Sequence, residues 1–152
     1  MTQLRFDGRV AVITGAGRGL GRAYAELLAS LGAKVVVNDN GSVIKGEGQD
    51  AGPAQEVVDA IRAAGGEAIA NADSVATSDG GRAIVQAALD TWGRVDVLIH
   101  NAGNVRYGLI RELSDEDLDA VLNVHLKGAF NVVRAAFPHM CDAGYEIGRA
   151  HV

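Results

Sequence analysis

The feature that most restricts what this chain can fold into is an eight-residue stretch, Thr14-Gly15-Ala16-Gly17-Arg18-Gly19-Leu20-Gly21. It lies between an apolar run and a segment of helical spacing. The run before it, residues 9–14, is β-branched and reads as a strand. After it, Leu20, Tyr24, Leu27, Leu28 and Leu31 recur on one helical face, and Gly32 closes the segment. Alternate glycines let the backbone turn sharply from strand into helix and remove the side chains that would keep other groups away. A strand that enters a helix through such a turn begins a βαβ unit, and the remaining chain keeps the alternation. Residues 34–38, 67–71 and 95–100 read as further strands. A second helix carries Val57, Val58, Ile61 and Ala64 and ends at Gly65-Gly66, and a third carries Ile84, Val85, Ala88, Leu89 and Trp92 and ends at Gly93. The spacing predicts a longer fourth helix that opens at Ser114, an N-cap followed by Asp115 and Glu116, and continues through Leu118, Val121, Leu122, Leu126, Ala129, Val133 and Phe137. The strands are almost wholly apolar, as when both faces of a parallel sheet are covered. The expected fold is therefore α/β, a parallel sheet with helices on both faces, while the polar stretch 40–53 is expected to be a loop.

The first helix starts where the glycines end. Its unpaired N–H groups and partial positive charge suit a pyrophosphate, and the open backbone lets one approach. Asp39 ends the second strand, 24 residues after Gly15. An acid there can accept hydrogen bonds from both hydroxyls of an adenosine ribose, and it repels a 2′-phosphate. That favours NAD over NADP. Arg18 points the other way, because a cation in the loop could neutralise a 2′-phosphate; Asp39 carries more weight because it acts at the ribose directly. Together these features make the expected sheet Rossmann-type.

With 14 Lys and Arg against 19 Asp and Glu, the net charge is −5, which argues against nucleic acid as the main ligand. The one cysteine, Cys141, excludes an internal disulfide, and no upstream histidine and acid mark it as a nucleophile. The histidines and carboxylates show no metal-ligand spacing, so no metal is expected. No apolar run approaches the ~20 residues of a membrane span. The first residues lack an apolar signal core, so the default expectation is a soluble, cytoplasmic protein.

Thr-Gly-x-x-x-Gly-x-Gly at 14–21, Asp73-Ser74-Val75 and His100-Asn101-Ala102-Gly103 together resemble the short-chain dehydrogenase/reductase family, over residues 4 to 145. Leu4-Arg5-Phe6-Asp7-Gly8-Arg9, Val36-Val37-Asn38-Asp39, Asn71-Ala72-Asp73-Ser74-Val75 and Val124-His125-Leu126 are most similar to one branch. It includes the (3R)-hydroxyacyl-CoA dehydrogenase part of peroxisomal multifunctional β-oxidation enzymes and its bacterial relatives. The resemblance implies hydride transfer between NAD(H) and an alcohol or ketone carbon of a small molecule, and a homo-oligomer for the full-length form. It implies that Thr14 opens the loop and that Gly15, Arg18, Gly19, Leu20 and Gly21 line the pyrophosphate and nicotinamide side. Asp39 would hold the ribose, Asp73, Ser74 and Val75 would flank adenine, and Asn101, Ala102 and Gly103 would close over the cofactor.

Two departures from the family stand out. Its Asn-Asn-Ala-Gly reads His100-Asn101-Ala102-Gly103 here, and His125 occupies the place where the family often puts an asparagine that helps hold a proton-relay water. His125 is three residues after Leu122 and four before Ala129, on the helix's inward stripe, so a packed structural histidine competes with a relay group.

The family's catalytic serine and Tyr-x-x-x-Lys come later than this chain extends. Tyr24, Tyr107 and Tyr145 are followed four residues on by Leu28, Arg111 and Arg149. Residues 1–145 are thus expected to be the N-terminal, cofactor-binding part of a single domain, incomplete after the fourth strand and its following helix. The last six residues back-translate as ATC GGA AGA GCA CAC GTC, a common sequencing-library adapter, so 146–152 are expected to be read-through. The chain alone is expected to lack activity and, with an open apolar strand edge and an uncovered helix face, to be poorly stable or to self-associate. The rival reading is a non-catalytic NAD-binding module.

Overall fold

The computed structural model describes residues 4–42 and 52–144; most of the expected loop 40–53, Tyr145 and the stretch 146–152 lie outside them. Four strands, β1 (Val10–Thr14), β2 (Lys34–Asn38), β3 (Glu67–Asn71) and β4 (Val97–His100), form one parallel sheet in the order β3-β2-β1-β4. Helices α1 (Gly19–Ser30), α2 (Gly52–Ala63) and α3 (Ser78–Trp92) alternate with them. After β4 come α4 (Asp115–Leu122), a π turn (Asn123–Lys127) and α5 (Gly128–Asp142).

Alternate side chains of each strand enter opposite cores. Ile13, Val35, Val37 and Ala68 pack with Ala25 and Ala29 of α1 and Val57, Val58 and Ile61 of α2. Val10, Val12 and Val36 pack with Ile84, Val85 and Ala88 of α3 and Val132 and Ala136 of α5. The expected Rossmann-type sheet, covered on both faces, is the observed one. Thr77 caps α3 by accepting from the Gly80 N–H at 3.0 Å, and Gly93 closes it in the left-handed region, φ 72°.

Three expectations change. The leucine stripe of α1 is not its core face: Gly21, Ala25 and Ala29 are buried, whereas Leu20 is 68% and Leu27 56% exposed. The helix lies so close to the sheet that only small residues fit beneath it. The long helix after Ser114 is interrupted by the π turn, although its outer face is apolar as expected: Leu118, Leu122, Leu126, Phe130, Val133 and Phe137 are exposed. Finally, β4 begins two residues late, because Val95 and Asp96 anchor the strand instead. The Asp96 carboxylate, 2% exposed, accepts the Val10 N–H at 2.7 Å and pairs with Arg94 at 2.6 Å and Arg9 at 3.4 Å.

Pairing aligns the last residues of the strands: Thr14 opposes Asn38 on one side and His100 on the other, and Asn38 opposes Asn71. The carboxyl edge of the sheet is therefore a row of polar side chains. The order reverses between β1 and β4, the switch point where ligands bind in open α/β sheets.

Candidate functional site

A cleft of about 450 Å³ opens along this edge. A larger hollow of about 540 Å³ lies at the opposite strand ends, between the C-terminal ends of α1 and α2. Its charged groups are already paired, Arg5 with Asp7 and Glu26 with Arg22, and it holds none of the expected site residues.

Gly15, Arg18, Asp39, Asp73, Ser74, Val75, Asn101, Ala102 and Gly103 all line the carboxyl-edge cleft. Thr14 and Gly21 do not line it but build it from beneath, both buried. Gly15 has φ +62°, and a Cβ on it would lie 2.8 Å from the Ala102 Cα. A Cβ on Gly21 would meet the Gly15 carbonyl oxygen and the Asn101 Nδ2. The loop, the helix start and the turn after β4 are thus in backbone contact, which fixes the floor of the cleft. Gly19 and Leu20 are exposed and lie outside the lining, at the start of α1. That helix has neither a side-chain cap nor an acid in its first turn, which leaves its positive end available to an anion.

Asp39 is fixed by two backbone donors. Oδ2 accepts from Gly17 N at 2.9 Å and Oδ1 from Gly41 N at 2.8 Å. Both carboxylate oxygens thereby keep a defined orientation while retaining further lone pairs. The Asn38 Nδ2 donates to Asn71 Oδ1 at 2.8 Å and to the Asp73 carbonyl at 2.9 Å, tying the end of β2 to the segment after β3.

The turn after β4 is held by a hub on Thr14. Its Oγ1 accepts from Asn101 N and Ala102 N, each at 3.1 Å, and lies 3.1 Å from the His100 Nδ1. The Asn101 side chain returns the contact, its Nδ2 donating to the carbonyls of Gly15 at 2.9 Å and Thr14 at 3.2 Å. Burial pushes the His100 ring below its ordinary pKa of 6.5; the Val124 backbone pulls it partway back, and His125 pushes it down further.

His125 sits on the π turn and is exposed as a residue, not part of a buried stripe. An extra residue per turn rotates it off the line through Leu122 and Ala129. Its ring covers Gly103, where a Cβ would lie 2.8 Å from Cε1, and its Nε2 lies 2.8 Å from the Asn104 carbonyl oxygen and 3.2 Å from the Asn104 N. One nitrogen cannot serve both, and the shorter contact makes Nε2 the donor. The Asn104 Nδ2 also donates to the Ala120 carbonyl at 3.1 Å.

Asn38, Asn40, Asn104, Arg106 and Ala120 line the cleft without having been singled out as site residues from sequence. Gly17, the second anchor of the Asp39 carboxylate, was likewise not picked as a site residue. The carboxamides carry no spacing signal, and only the register that aligns the strand ends brings them together. Among the described residues no three His, Cys, Asp or Glu side chains are grouped as for a metal, and no helix is long and apolar enough to cross a membrane.

Peroxisomal multifunctional enzyme type 2 of Mus musculus is 51% identical over 142 residues, 93% of this chain and 19% of that protein. The peroxisomal hydratase-dehydrogenase-epimerase of Neurospora crassa is 50% identical over 90% of this chain and 15% of its own length. A short-chain type dehydrogenase/reductase of Mycobacterium tuberculosis is 52% identical over 90% of this chain and 48% of its own. The chain thus spans half or less of the curated relatives it matches. A short chain dehydrogenase of Mycobacterium avium has a superposable fold, with TM-score 0.80 and 47% identity over 91% of this chain and 49% of that one. The enzyme of Burkholderia phymatum, solved in complex with NAD, gives 0.84 and 39% over 94% and 48%. A metagenomic short-chain oxidoreductase in complex with NADP gives 0.81 and 37% over 91% and 59%.

The expectation of a cytoplasmic protein is overturned by the relatives named as peroxisomal. That expectation rested on the lack of an apolar leader, which marks only the export route; peroxisomal addresses are short receptor-read signals without an apolar core. The profile described as short chain dehydrogenase matches residues 9–148, and on this match the chain belongs to the short-chain dehydrogenase/reductase family.

Proposed function

We propose that this chain is the cofactor-holding part of an NAD-dependent oxidoreductase acting on an alcohol or ketone carbon, with a hydroxyacyl-CoA-type substrate. The observation that carries the reading is Asp39, whose two oxygens are each oriented by a backbone N–H at the mouth of a glycine-floored cleft. The cleft fits a dinucleotide because Cβ atoms on Gly15 and Gly17 would fill its floor and displace the acid, the Gly17 Cβ lying 2.8 Å from the Asp39 Oδ2. When bound, the nicotinamide ring supplies the hydride chemistry. The free lone pairs of Asp39 accept the ribose hydroxyls, the open start of α1 and Arg18 face the pyrophosphate, and Asp73, Ser74 and Val75 flank adenine. Thr14 and Asn101 keep the Ala102-Gly103 backbone seated on the glycine loop. His125 is committed to the Asn104 backbone, which supports a role in holding that turn.

The substrate class rests on the multifunctional enzymes among the relatives, one of which is named a hydratase-dehydrogenase-epimerase. Residues 1–145 are read as the N-terminal part of one domain, with 146–152 not native and the catalytic Ser and Tyr-x-x-x-Lys encoded beyond them; alone, the chain would hold cofactor without turnover. The exposed apolar face of α4 and α5 supports a homo-oligomer in the complete protein.

The test is calorimetric titration of the protein expressed from the complete reading frame with NAD and with NADP. NAD should bind more tightly, and Asp39→Ala should narrow the preference at least tenfold, about 1.4 kcal/mol, since removing the acid removes its repulsion of a 2′-phosphate. An unchanged preference would take the ribose role from Asp39. A reading frame that continues without Tyr-x-x-x-Lys would favour the non-catalytic module instead.

A further inference from the structure

The π turn has no local cause in the sequence, yet two histidines from different elements close on it. His125 grips Asn104 from the outside. His100 lies on the inside, and the chemistry of its ring is settled by its neighbours. A hydroxyl has two acceptor sites and one hydrogen. The Thr14 Oγ1 already accepts from Asn101 N and Ala102 N, so its hydrogen goes to the His100 Nδ1. Nδ1 is then unprotonated, and the neutral ring carries its hydrogen on Nε2. A charged ring would set an Nδ1–H against a hydroxyl with no lone pair left.

Nε2 is buried and closes no hydrogen bond in this arrangement, so its hydrogen still needs an acceptor. The Val124 backbone, in the middle of the π turn, is the polar group of that turn that acts on the ring. An i→i+5 turn set within an α-helix leaves a carbonyl out of the helical ladder, and a carbonyl in that state needs an outside donor. The ring reaches the turn because α5 begins with Gly128, where a Cβ would lie 3.3 Å from the His100 Cε1 and 2.9 Å from the Val75 Cγ2.

We propose that His100 is a positioning residue: fixed by Thr14 as the Nε2–H tautomer, it offers that hydrogen to the Val124 carbonyl. It thereby locks the glycine-loop strand and the Asn101-Ala102-Gly103 turn to the π turn that carries His125. The part of this inference that concerns cofactor affinity rests on the reading of the cleft as an NAD site; the tautomer does not. Among the described residues, His125 on the π turn is the titratable group whose charge reaches the ring.

Long-range proton–nitrogen correlation spectra of histidine-labelled protein from the complete reading frame, without ligand, test the core of the proposal. His100 should be neutral at pH 7 with its hydrogen on Nε2. An Nδ1–H tautomer or a charged ring at that pH overturns it. NAD titrations from pH 8 to pH 5 test the coupling. Wild-type affinity should weaken as the ring is protonated below its ordinary 6.5. That step should persist in His125→Asn and vanish in His100→Asn, whose shorter amide can still meet Thr14 but cannot span to Val124. At pH 8 His100→Asn should weaken NAD by about 2- to 10-fold, the worth of one net hydrogen bond. A pH step that survives in His100→Asn refutes the coupling. Absence of NAD binding at every pH refutes the cofactor reading and leaves the tautomer result standing by itself.

Discussion

Gly21→Ala tests how the cleft is built. A methyl group there would overlap the Gly15 carbonyl oxygen and lie 2.6 Å from the Asn101 Nδ2 and 2.9 Å from the Ala16 Cα. Ordinary carbon contacts begin at about 3.5 Å. None of these neighbours can swing aside: two are backbone, and the Asn101 amide is held by the Gly15 and Thr14 carbonyls at 2.9 and 3.2 Å. Relief therefore requires α1 to back away from β1, or Asn101 to give up its bonds. Overpacking of this kind costs about 1–3 kcal/mol, and each hydrogen bond lost adds about 1 kcal/mol. Alanine's better helix propensity returns somewhat under 1 kcal/mol. The net expectation is a loss of about 1–4 kcal/mol, with NAD affinity falling as the Asn101 turn lifts. Gly19→Ala is the control. No atom lies within 4 Å of a Cβ there, and its only demand is φ +55°, worth about 1–2 kcal/mol, much of which Gly19→Asn should recover. Urea unfolding of the complete protein, with unchanged m-values, measures all three variants. If Gly21→Ala costs no more than Gly19→Ala, backbone contact between helix, loop and turn is not what shapes the site.

Asp96→Ala should destabilise the protein by about 3 kcal/mol in the same assay, because it leaves the Val10 N–H and two arginines without their buried carboxylate; a loss under about 1 kcal/mol would show that the anchor is dispensable. Stability should also carry a signature of His100. Its folded-state pKa lies below the ordinary 6.5, so between those two values the unfolded chain binds more protons. Stability is thus complete above pH 6.5, falls as pH drops through the folded value, and levels off below it. Urea midpoints from pH 8 to pH 5 should show this fall in the wild type and a flatter profile in His100→Asn, and parallel profiles would contradict the assignment.

The sheet was legible because its strands are continuous apolar runs bounded by glycines, and both cores take their residues in strict alternation. The ribose acid was legible from its distance to the glycine loop, but its anchors on Gly17 and Gly41 were not, since backbone donors leave no mark in a sequence. Hydrophobic periodicity misjudged α1 because it ranks faces by size. Here the close approach of α1 to the glycine loop selects Gly21, Ala25 and Ala29 and sends the leucines outward. The π turn was invisible for a deeper reason. Asn123-Val124-His125-Leu126-Lys127 fits regular helical spacing, and nothing within it favours a wider turn. The contact that holds it comes from Asn104, 21 residues before His125, and the ring of His100, at the end of β4, lies against Gly128 where the turn ends. A wider turn gives up regular helical bonding, so it persists only where groups from other segments return what the helix loses. Asn104 and His100 both sit at the carboxyl edge of the sheet, beside Thr14 and the glycine loop. The departure from local regularity and the candidate site therefore have one origin: the strand register that brings Thr14, Asn38, Asn71 and His100 into a single polar row.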